Sequence, residues 1–114
     1  MYKLSEQLKV ETEYNNEGKE SLFLKDLTDL DVKNPNIRMF SLAQLKPGEE
    51  VPFHVHEGES EAYYILSGQG IYNDNGTKVP AVPGMVTFTP SSEGHALKNT
   101  GEEMLSFIAL IVLL

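Results

Sequence analysis

The chain has 114 residues, 40% hydrophobic and 23% charged, a composition typical of one folded globular domain and not of a disordered segment. Its formal net charge of -8 at pH 7 argues against nucleic acids and anionic membrane surfaces as partners. It contains no cysteine, which excludes disulfides and thiolate chemistry.

Residues 1–36 carry mixed signals, and we expect N-terminal strands or an arm there. The first residues lack the apolar core of a signal peptide, which favours a cytoplasmic protein. Turns are predicted at residues 15–18 and 34–36, where Asn, Gly and Pro cluster. The apolar residues between these turns fit either a strand or a brief helix: Leu22, Phe23, Leu24, Leu27, Leu30 and Val32.

From residue 37 to residue 112 the chain is predicted to form short strands separated by Gly, Pro and Asn. Asn75-Gly76 predicts a tight hairpin, because this pair accepts positive φ. The regular spacing favours an all-β sandwich or barrel in a single domain, residues 1–114, with residues 37–112 as its core. The predicted strands are Ile37–Leu45, Pro52–His56, Glu61–Leu66, Gln69–Tyr72, Lys78–Val82, Met85–Thr89, His95–Lys98 and Met104–Leu114.

The C-terminal segment, residues 105–114, is apolar at almost every position. It is too short to span a bilayer, and a strand that is apolar on both faces must be covered on both. A second copy of the chain, in a homodimer, is the simpler cover. A layer formed by residues 1–36 is the alternative.

All three histidines lie in two short blocks of the sequence. His54 and His56 are two residues apart, so on a strand they point to the same face. We expect Glu61 to begin the strand that pairs with this one, and His95 to reach the site from a distant strand across a barrel. Three imidazoles and a carboxylate suit one divalent metal (Mn, Fe, Ni, Co or Zn), with one or two positions left for water, substrate or dioxygen.

An alternative reading makes these histidines surface or hydrogen-bonded core residues. It would have to explain the His-x-His pair, a suitably placed glutamate and the third histidine as unrelated features. Glu57 and Glu59 are rival carboxylates, but they fall in a predicted loop where solvation is expected, so Glu61 is preferred.

Further residues are candidates for the surroundings of the site. Tyr63 shares the face of Glu61 by alternation and would either donate a hydrogen bond or proton there or fill the barrel. Val86 and Phe88 are expected to line the pocket, and Asn99 to brace a turn near His95. Arg38, the only arginine, would hold a substrate carboxylate if it faced inward, although an exposed ion pair is favoured.

The two blocks resemble the paired motifs of the cupin superfamily, Gly-x5-His-x-His-x4-Glu-x6-Gly and Gly-x5-Pro-x-Gly-x2-His-x3-Asn. The first motif is matched at Gly48, His54, His56, Glu61 and Gly68. The second is matched at Gly84, Pro90, His95 and Asn99, with Ser92 in place of the usual glycine.

The resemblance covers about residues 37–112 and is to small, single-domain, RmlC-like cupins of the Cupin_2 type. It implies a double-stranded β-helix (a jelly-roll β-barrel), usually dimeric, that holds one metal through His54, His56, Glu61 and His95. It also implies a metal-dependent enzyme, resembling oxalate decarboxylases or small dioxygenases, acting on a small polar or carboxylate-containing molecule. Tyr63 is the candidate catalytic residue. A non-catalytic module that binds a small molecule is the alternative, and a metal-independent sugar-modifying cupin is disfavoured by the complete ligand set.

Overall fold

The computed structural model describes all 114 residues and consists almost entirely of β-strands. One short 3-10 helix, Ser5–Gln7, precedes them. The ten strands are β1 (Val10–Tyr14), β2 (Glu20–Asp26), β3 (Ile37–Leu45), β4 (Glu50–Val55), β5 (Glu59–Ser67), β6 (Gly70–Asp74), β7 (Thr77–Ala81), β8 (Val86–Thr89), β9 (Gly94–Asn99) and β10 (Leu105–Leu113). No helix has the length and apolar character needed to cross a membrane.

Two antiparallel sheets contain these strands. The six-stranded sheet has the order β1-β2-β3-β10-β5-β8, and the four-stranded sheet has the order β4-β9-β6-β7. Between β3 and β10 the chain passes to the other sheet at every connection except the β6–β7 hairpin. This alternation is that of a double-stranded β-helix, or jelly roll, and confirms the predicted fold class.

Side chains alternate between the space enclosed by the two sheets, here called the lumen, and the outside. In β3, Ser41, Ala43 and Leu45 are buried, whereas the residues between them are only partly buried. The lumen is filled mainly by apolar side chains: Leu22, Leu24, Ala43, Leu45, Tyr63, Ile65, Tyr72, Ala81, Leu97, Leu105, Phe107 and Ala109. This cluster is the hydrophobic core that holds the two sheets together.

The N-terminal segment extends the six-stranded sheet. Leu22 and Leu24 are buried on β2, which pairs with β3, so strand and not helix is the outcome for these residues. β1 pairs with β2 and forms the edge of the sheet. Residues 10–26 therefore continue the sheet beyond β3 and do not form a separate layer over the C-terminal strand β10.

Two turns depend on backbone conformations that glycine favours. Asn75 and Gly76 have φ values of 49° and 106° between Asp74 and Thr77, as predicted for a two-residue hairpin. Gly68 has a φ of 84°, and a Cβ atom there would lie 2.4 Å from the carbonyl oxygen of Met104. Any side chain at residue 68 would therefore separate β5 from the start of β10.

Candidate metal centre

The three histidines and Glu61 form one cluster of residues that could hold a metal ion. His54 lies on β4 and His56 directly follows that strand, whereas Glu61 lies on β5 and His95 on β9. His56, Glu61 and His95 are buried, and the side chain of His54 is 37% exposed. The cluster therefore has one partly open side, at His54.

The strands that supply the cluster differ from our expectation from the sequence. β9 pairs with β4, and His95 lies directly opposite His54 instead of across the lumen. Glu61 is the residue that comes from the opposite sheet, because β5 pairs with β8 and β10 and not with β4. The expectation was wrong because it took β4 and β5 for a hairpin, whereas consecutive strands of a jelly roll alternate between sheets.

The donor atoms of the cluster converge on one point. The Nε2 atoms of His54 and His56 are 3.1 Å apart, and each lies 3.2 Å from Nε2 of His95. Glu61 Oε1 lies 2.8 Å from Nε2 of His56 and 2.8 Å from Nε2 of His95, but 3.9 Å from Nε2 of His54. Five of the six spacings are thus short and one is long.

Oxygen atoms hold the other nitrogen of each ring. His54 Nδ1 donates to the carbonyl oxygen of Pro52 over 2.8 Å, and His56 Nδ1 donates to Glu59 Oε1 over 2.9 Å. Because a carbonyl and a carboxylate only accept, both Nδ1 atoms carry hydrogen, which leaves Nε2 of each ring directed at the cluster. His95 Nδ1 lies 3.0 Å from Tyr72 Oη and 3.1 Å from Thr89 Oγ1.

The spacings test which metal geometry the cluster fits. In a tetrahedral site with bonds of about 2.1 Å, all six donor–donor distances would be about 3.4 Å. In an octahedral site with bonds of about 2.1 Å, adjacent donors would lie about 3.0 Å apart and opposite donors about 4.2 Å apart. Five short spacings and one long one match four corners of an octahedron whose two unfilled corners are adjacent.

Glu59 supports His56. The sequence had suggested a solvated loop residue at this position, and that expectation was wrong. Glu59 begins β5, its side chain is only 13% exposed, and Oε1 also accepts a hydrogen bond from Arg38 Nη2 over 2.8 Å. The expectation failed because β5 begins two residues earlier than predicted. Carboxylates that orient a metal-binding histidine in this way are common around metal sites.

The electrostatics of the cluster favour a negatively charged Glu61. Burial of this carboxyl group opposes ionisation, but the surrounding imidazoles of His54, His95 and His56 lower its pKa to about 2. The nearby carboxylate of Glu61 raises the pKa of His54 in turn, although burial of the ring acts against this shift. The cluster therefore contains a fixed negative charge and attracts a positive one.

Arg38 lies on the inner side of the six-stranded sheet because of a β-bulge. Ile37 is opposite Val112 and Met39 is opposite Ile111, so Arg38 is an extra residue between two paired positions. The bulge brings its side chain to the cavity that also reaches His54 and His56. Arg38 thus forms an ion pair with Glu59 and also lines the cavity.

A cavity of about 410 Å³ connects the cluster with the outside. Its polar wall contains His54, His56, Glu61, Arg38 and Glu13, and apolar side chains line most of the remainder. Tyr63 lines the cavity, is buried, and stacks on His95 with ring centroids 4.8 Å apart. Burial, followed by the charge of Glu61, raises the pKa of Tyr63 well above its usual value, so the phenol keeps its proton.

Val86 and Phe88 do not line this cavity, and that expectation from the sequence was wrong. Both lie on the outer face of β8 and are 69% and 63% exposed, whereas Thr87 and Thr89 face the lumen. The expectation assigned the apolar face of the strand to the interior. It failed because the lumen is polar at this end, where Thr89 contacts His95 and Tyr72.

Two further motif residues shape turns near the cluster. Asn99 is fully buried and its Nδ2 donates to the carbonyl oxygens of Leu45 and Glu103, so it braces the chain as expected. Ser92 has a φ of 76°, a left-handed conformation that costs a non-glycine residue energy. Its backbone N–H donates to the carbonyl oxygen of His56 over 2.6 Å, which ties this turn to the cluster.

Known proteins share both the sequence pattern and the fold. The cupin domain family Cupin_2 matches residues 41–111. An oxalate-binding protein from Thermotoga maritima is 43% identical over 97 residues, which cover 85% of this chain and 80% of that protein.

Solved structures give the same result. A crystal structure described as a predicted oxalate decarboxylase from Thermotoga maritima has a TM-score of 0.89 and 40% sequence identity, with both chains covered completely. A sugar phosphate isomerase from Silicibacter pomeroyi has a TM-score of 0.73 and 21% identity over 82% of this chain and 60% of that one, a likeness of fold alone. On the family match and the 43% identical relative, this chain belongs to the cupin family.

Proposed function

We propose that the chain holds one divalent metal ion between His54, His56, Glu61 and His95, and that it acts as a metal-dependent enzyme on a small carboxylate-containing molecule. The reaction class is that of a decarboxylase or an oxygenase. The observation that carries the proposal is the convergence of three Nε2 atoms and one carboxylate oxygen within 3.9 Å of one another.

A positive charge at the centre would stabilise such a cluster. With both rings neutral, the Nε2 lone pairs of His54 and His56 would face each other and the carboxylate of Glu61, and acceptors at these distances repel unless something lies between them. A single proton bridges only two of the four atoms, whereas one cation satisfies all four. The donor spacings favour a six-coordinate ion such as Mn, Fe, Ni or Co over tetrahedral zinc.

A bound divalent ion would supply Lewis-acid or oxygen-activating chemistry, with two adjacent positions available to the oxygens of one carboxylate-bearing molecule. Tyr63 contributes a hydrogen-bond donor on the cavity wall, since its raised pKa keeps the phenol protonated. Arg38 contributes positive charge to the same wall and holds Glu59 against His56. We assign a substrate carboxylate to the space between the cluster and Arg38.

The comparisons support a carboxylate ligand. The relative that is 43% identical is called an oxalate-binding protein, and the solved structure that is 40% identical is described as a predicted oxalate decarboxylase. Oxalate carries two carboxylates and chelates a metal through two oxygens, which suits a site with two adjacent free positions. We therefore propose that this chain also binds a small carboxylate of the oxalate type.

Metal-dependent binding without catalysis is the second candidate. The name of the Thermotoga relative states binding only, and Tyr63, on β5, is the one tyrosine among the residues lining the cavity. A binding protein would need the metal, Arg38 and the cavity but not Tyr63. Turnover therefore separates the two candidates.

Elemental analysis followed by an activity screen tests the proposal. Purified protein should contain about one divalent ion per chain, and His95→Ala should remove it, because this ring supplies one of the four donors. The loaded protein is then incubated with a panel of small carboxylates in the presence and absence of dioxygen. Turnover that disappears in His95→Ala supports the enzyme, metal and ligand binding without turnover supports the binding protein, and no metal binding contradicts both.

We also propose that the outer face of the six-stranded sheet forms a homodimer interface. Two rows of apolar side chains cross strands β3, β10, β5 and β8 on this face. The residues of one row are Leu42, Ile108, Tyr64 and Val86, and those of the next are Phe40, Leu110, Ala62 and Phe88. Tyr64, Val86 and Phe88 are 47%, 69% and 63% exposed. A contiguous apolar patch of this kind is typical of a contact surface between subunits.

A further inference from the structure

His95 differs from the other two histidines in the groups that hold its second nitrogen. Nδ1 of His54 and Nδ1 of His56 face a carbonyl oxygen and a carboxylate oxygen, which can only accept a hydrogen bond. Nδ1 of His95 faces two hydroxyl groups instead, those of Tyr72 and Thr89. Neither residue belongs to the two sequence motifs, and a hydroxyl group, unlike a carboxylate, can donate as well as accept.

The two hydroxyl groups and Nδ1 of His95 form a closed triangle. Tyr72 Oη lies 3.0 Å from Nδ1 and Thr89 Oγ1 lies 3.1 Å from it, and the two oxygens are 3.0 Å apart. All three spacings are within the range of hydrogen bonds. His95 is fully buried and Tyr72 and Thr89 are each 2% exposed, so bulk water does not reach the triangle.

Both sheets contribute to the triangle. Tyr72 lies on β6, beside β9, where it is the cross-strand partner of Leu97 and thus a diagonal neighbour of His95. Thr89 lies on β8 of the other sheet, directly opposite Glu61. His95 is therefore held from both walls of the lumen, and one of its supports is the sheet neighbour of another proposed metal ligand.

The chemistry of a metal-binding imidazole determines what the triangle must supply. A neutral ring that binds a metal through Nε2 carries its hydrogen on Nδ1, and this hydrogen needs an acceptor. Tyr72 Oη and Thr89 Oγ1 are almost equally placed to accept it, and whichever accepts can donate its own hydrogen to the other. Loss of one hydroxyl group leaves an acceptor in place, whereas loss of both leaves a buried N–H without a partner, which is costly.

We infer that Tyr72 and Thr89 are positioning residues that act as interchangeable acceptors for the Nδ1 hydrogen of His95 and so keep its Nε2 directed at the cluster. The inference rests on the proposed function, because it concerns a metal held by His95. Neither Tyr72 nor Thr89 lines the cavity assigned to the carboxylate, so both act through His95 and not on the carboxylate directly.

Isosteric variants measure this support. The affinity for Mn²⁺, from competition with a chelator, is compared for the wild type, Tyr72→Phe, Thr89→Val and the double variant. We expect each single variant to lose about twofold, because the remaining hydroxyl group accepts the hydrogen, and the double variant to lose about 10- to 100-fold. A double variant within twofold of the wild type, or a loss no larger than the product of the two single losses, would overturn the inference.

Two further variants serve as controls. Thr87 lies on the same inner face of β8 as Thr89, is 7% exposed, and its hydroxyl group has no hydrogen-bond partner. Thr87→Val therefore makes the same change without affecting His95 and should keep the wild-type affinity. Thr89→Ser combined with Tyr72→Phe restores one hydroxyl group and should recover the affinity of the Tyr72→Phe protein. In either protein, a loss as large as that of the double variant contradicts the inference.

Proton NMR of the Co²⁺-loaded protein gives a readout that a purely packing role would leave unchanged. Each histidine that binds Co²⁺ through Nε2 should show one strongly shifted Nδ1–H signal that disappears in D₂O. We expect three such signals in the wild type, and in the double variant a displaced or faster-exchanging signal for His95 alone. Unchanged signals, or equal changes for all three histidines, would contradict the support of His95. If the double variant does not fold, the Tyr72→Phe and Thr89→Val proteins decide, because each should displace the His95 signal alone.

Failure of the inference is distinguishable from failure of the proposed function. A wild type that binds no divalent metal contradicts both. A wild type that binds Mn²⁺, with an affinity that the double variant equals, keeps the proposed function and loses only the role assigned to Tyr72 and Thr89.

Discussion

Glu61 and His54 occupy opposite sides of the cluster, with Glu61 Oε1 lying 3.9 Å from His54 Nε2, whereas the other donor pairs lie within 3.2 Å. The origin of this relationship is the topology. His54 belongs to the four-stranded sheet and Glu61 to the six-stranded sheet, so the two side chains approach from opposite walls of the lumen. Such a pair would hold a metal ion between the two sheets.

Cobalt substitution tests this geometry. We expect the Co²⁺-loaded protein to show the weak visible absorption of five- or six-coordinate Co²⁺, and the bands should shift when oxalate is added because four protein donors would leave positions on such an ion for another ligand. Intense tetrahedral bands that do not respond to oxalate would contradict the assignment. The measurement needs only metal-free protein and a titration followed in the visible range.

Glu59→Gln should weaken metal binding while leaving the four proposed ligands in place. The amide no longer provides a charged acceptor for His56 Nδ1 and no longer pairs with Arg38. Loss of such a supporting partner lowers metal affinity about 10- to 100-fold in known sites. Competition with a chelator of known affinity measures the change.

Glu57→Gln is the matched control for that variant. Glu57 lies two residues earlier, is exposed, and its only recorded side-chain contact is with Ser92 Oγ at 3.4 Å. We expect its metal affinity to stay within twofold of the wild type. Equal losses in both variants would mean that general charge, and not support of His56, determines the affinity.

The cluster could be predicted from the sequence more fully than its surroundings. The His-x-His spacing places two imidazoles on one strand face whatever the sheet, so the grouping of His54 and His56 follows from local geometry alone. Which strand pairs with β4 depends on the order of all ten strands, and for that reason His95 and Glu61 were assigned to the wrong sheets. The predicted grouping of the four residues did not depend on this assignment, because the two sheets enclose one lumen and side chains from both meet there.

The surroundings depend on features that alternation and hydrophobicity do not report. The bulge at Arg38 reverses the direction of one side chain, and no residue pattern in β3 indicates it. Val86 and Phe88 face outward because the polar end of the lumen requires Thr87 and Thr89, so the usual preference for apolar residues inside was misleading. The alternation of apolar and threonine residues over Val86–Thr89 would have predicted the correct orientation if the lumen had been taken to be polar at this end.

Tyr63→Phe separates the two candidate functions. Removing the hydroxyl group leaves the ring stacked on His95 and the cavity in place, so the affinity for metal and for carboxylates should change little. If the protein is an enzyme that takes a proton from Tyr63, kcat should fall by about 10²- to 10⁴-fold with KM nearly unchanged. A kcat equal to that of the wild type would remove Tyr63 from the proton-transfer role.

Phe88→Glu should dissociate the proposed homodimer. Phe88 ends the apolar row on the edge strand β8, and a buried carboxylate in a subunit interface carries a large desolvation cost. We expect a dimer for the wild type and a monomer for the variant in sedimentation measurements. Val82→Glu, at an exposed site after β7, serves as the control and should leave the mass unchanged. A wild-type monomer would contradict the interface directly.

Ser92→Gly should stabilise the protein. Ser92 has a φ of 76°, and a left-handed conformation costs a non-glycine residue about 1–2 kcal/mol. Part of that gain is offset because glycine makes the unfolded chain more flexible, by about 0.4–1 kcal/mol. We therefore expect the free energy of unfolding to rise by up to about 1.6 kcal/mol in denaturant titrations. Ser91→Gly is the control: its hydroxyl accepts the N–H of Gly58 over 3.0 Å, so its loss should destabilise the protein. If Ser92→Gly also lowers stability, the weak contact of its hydroxyl with Glu57 outweighs the backbone strain.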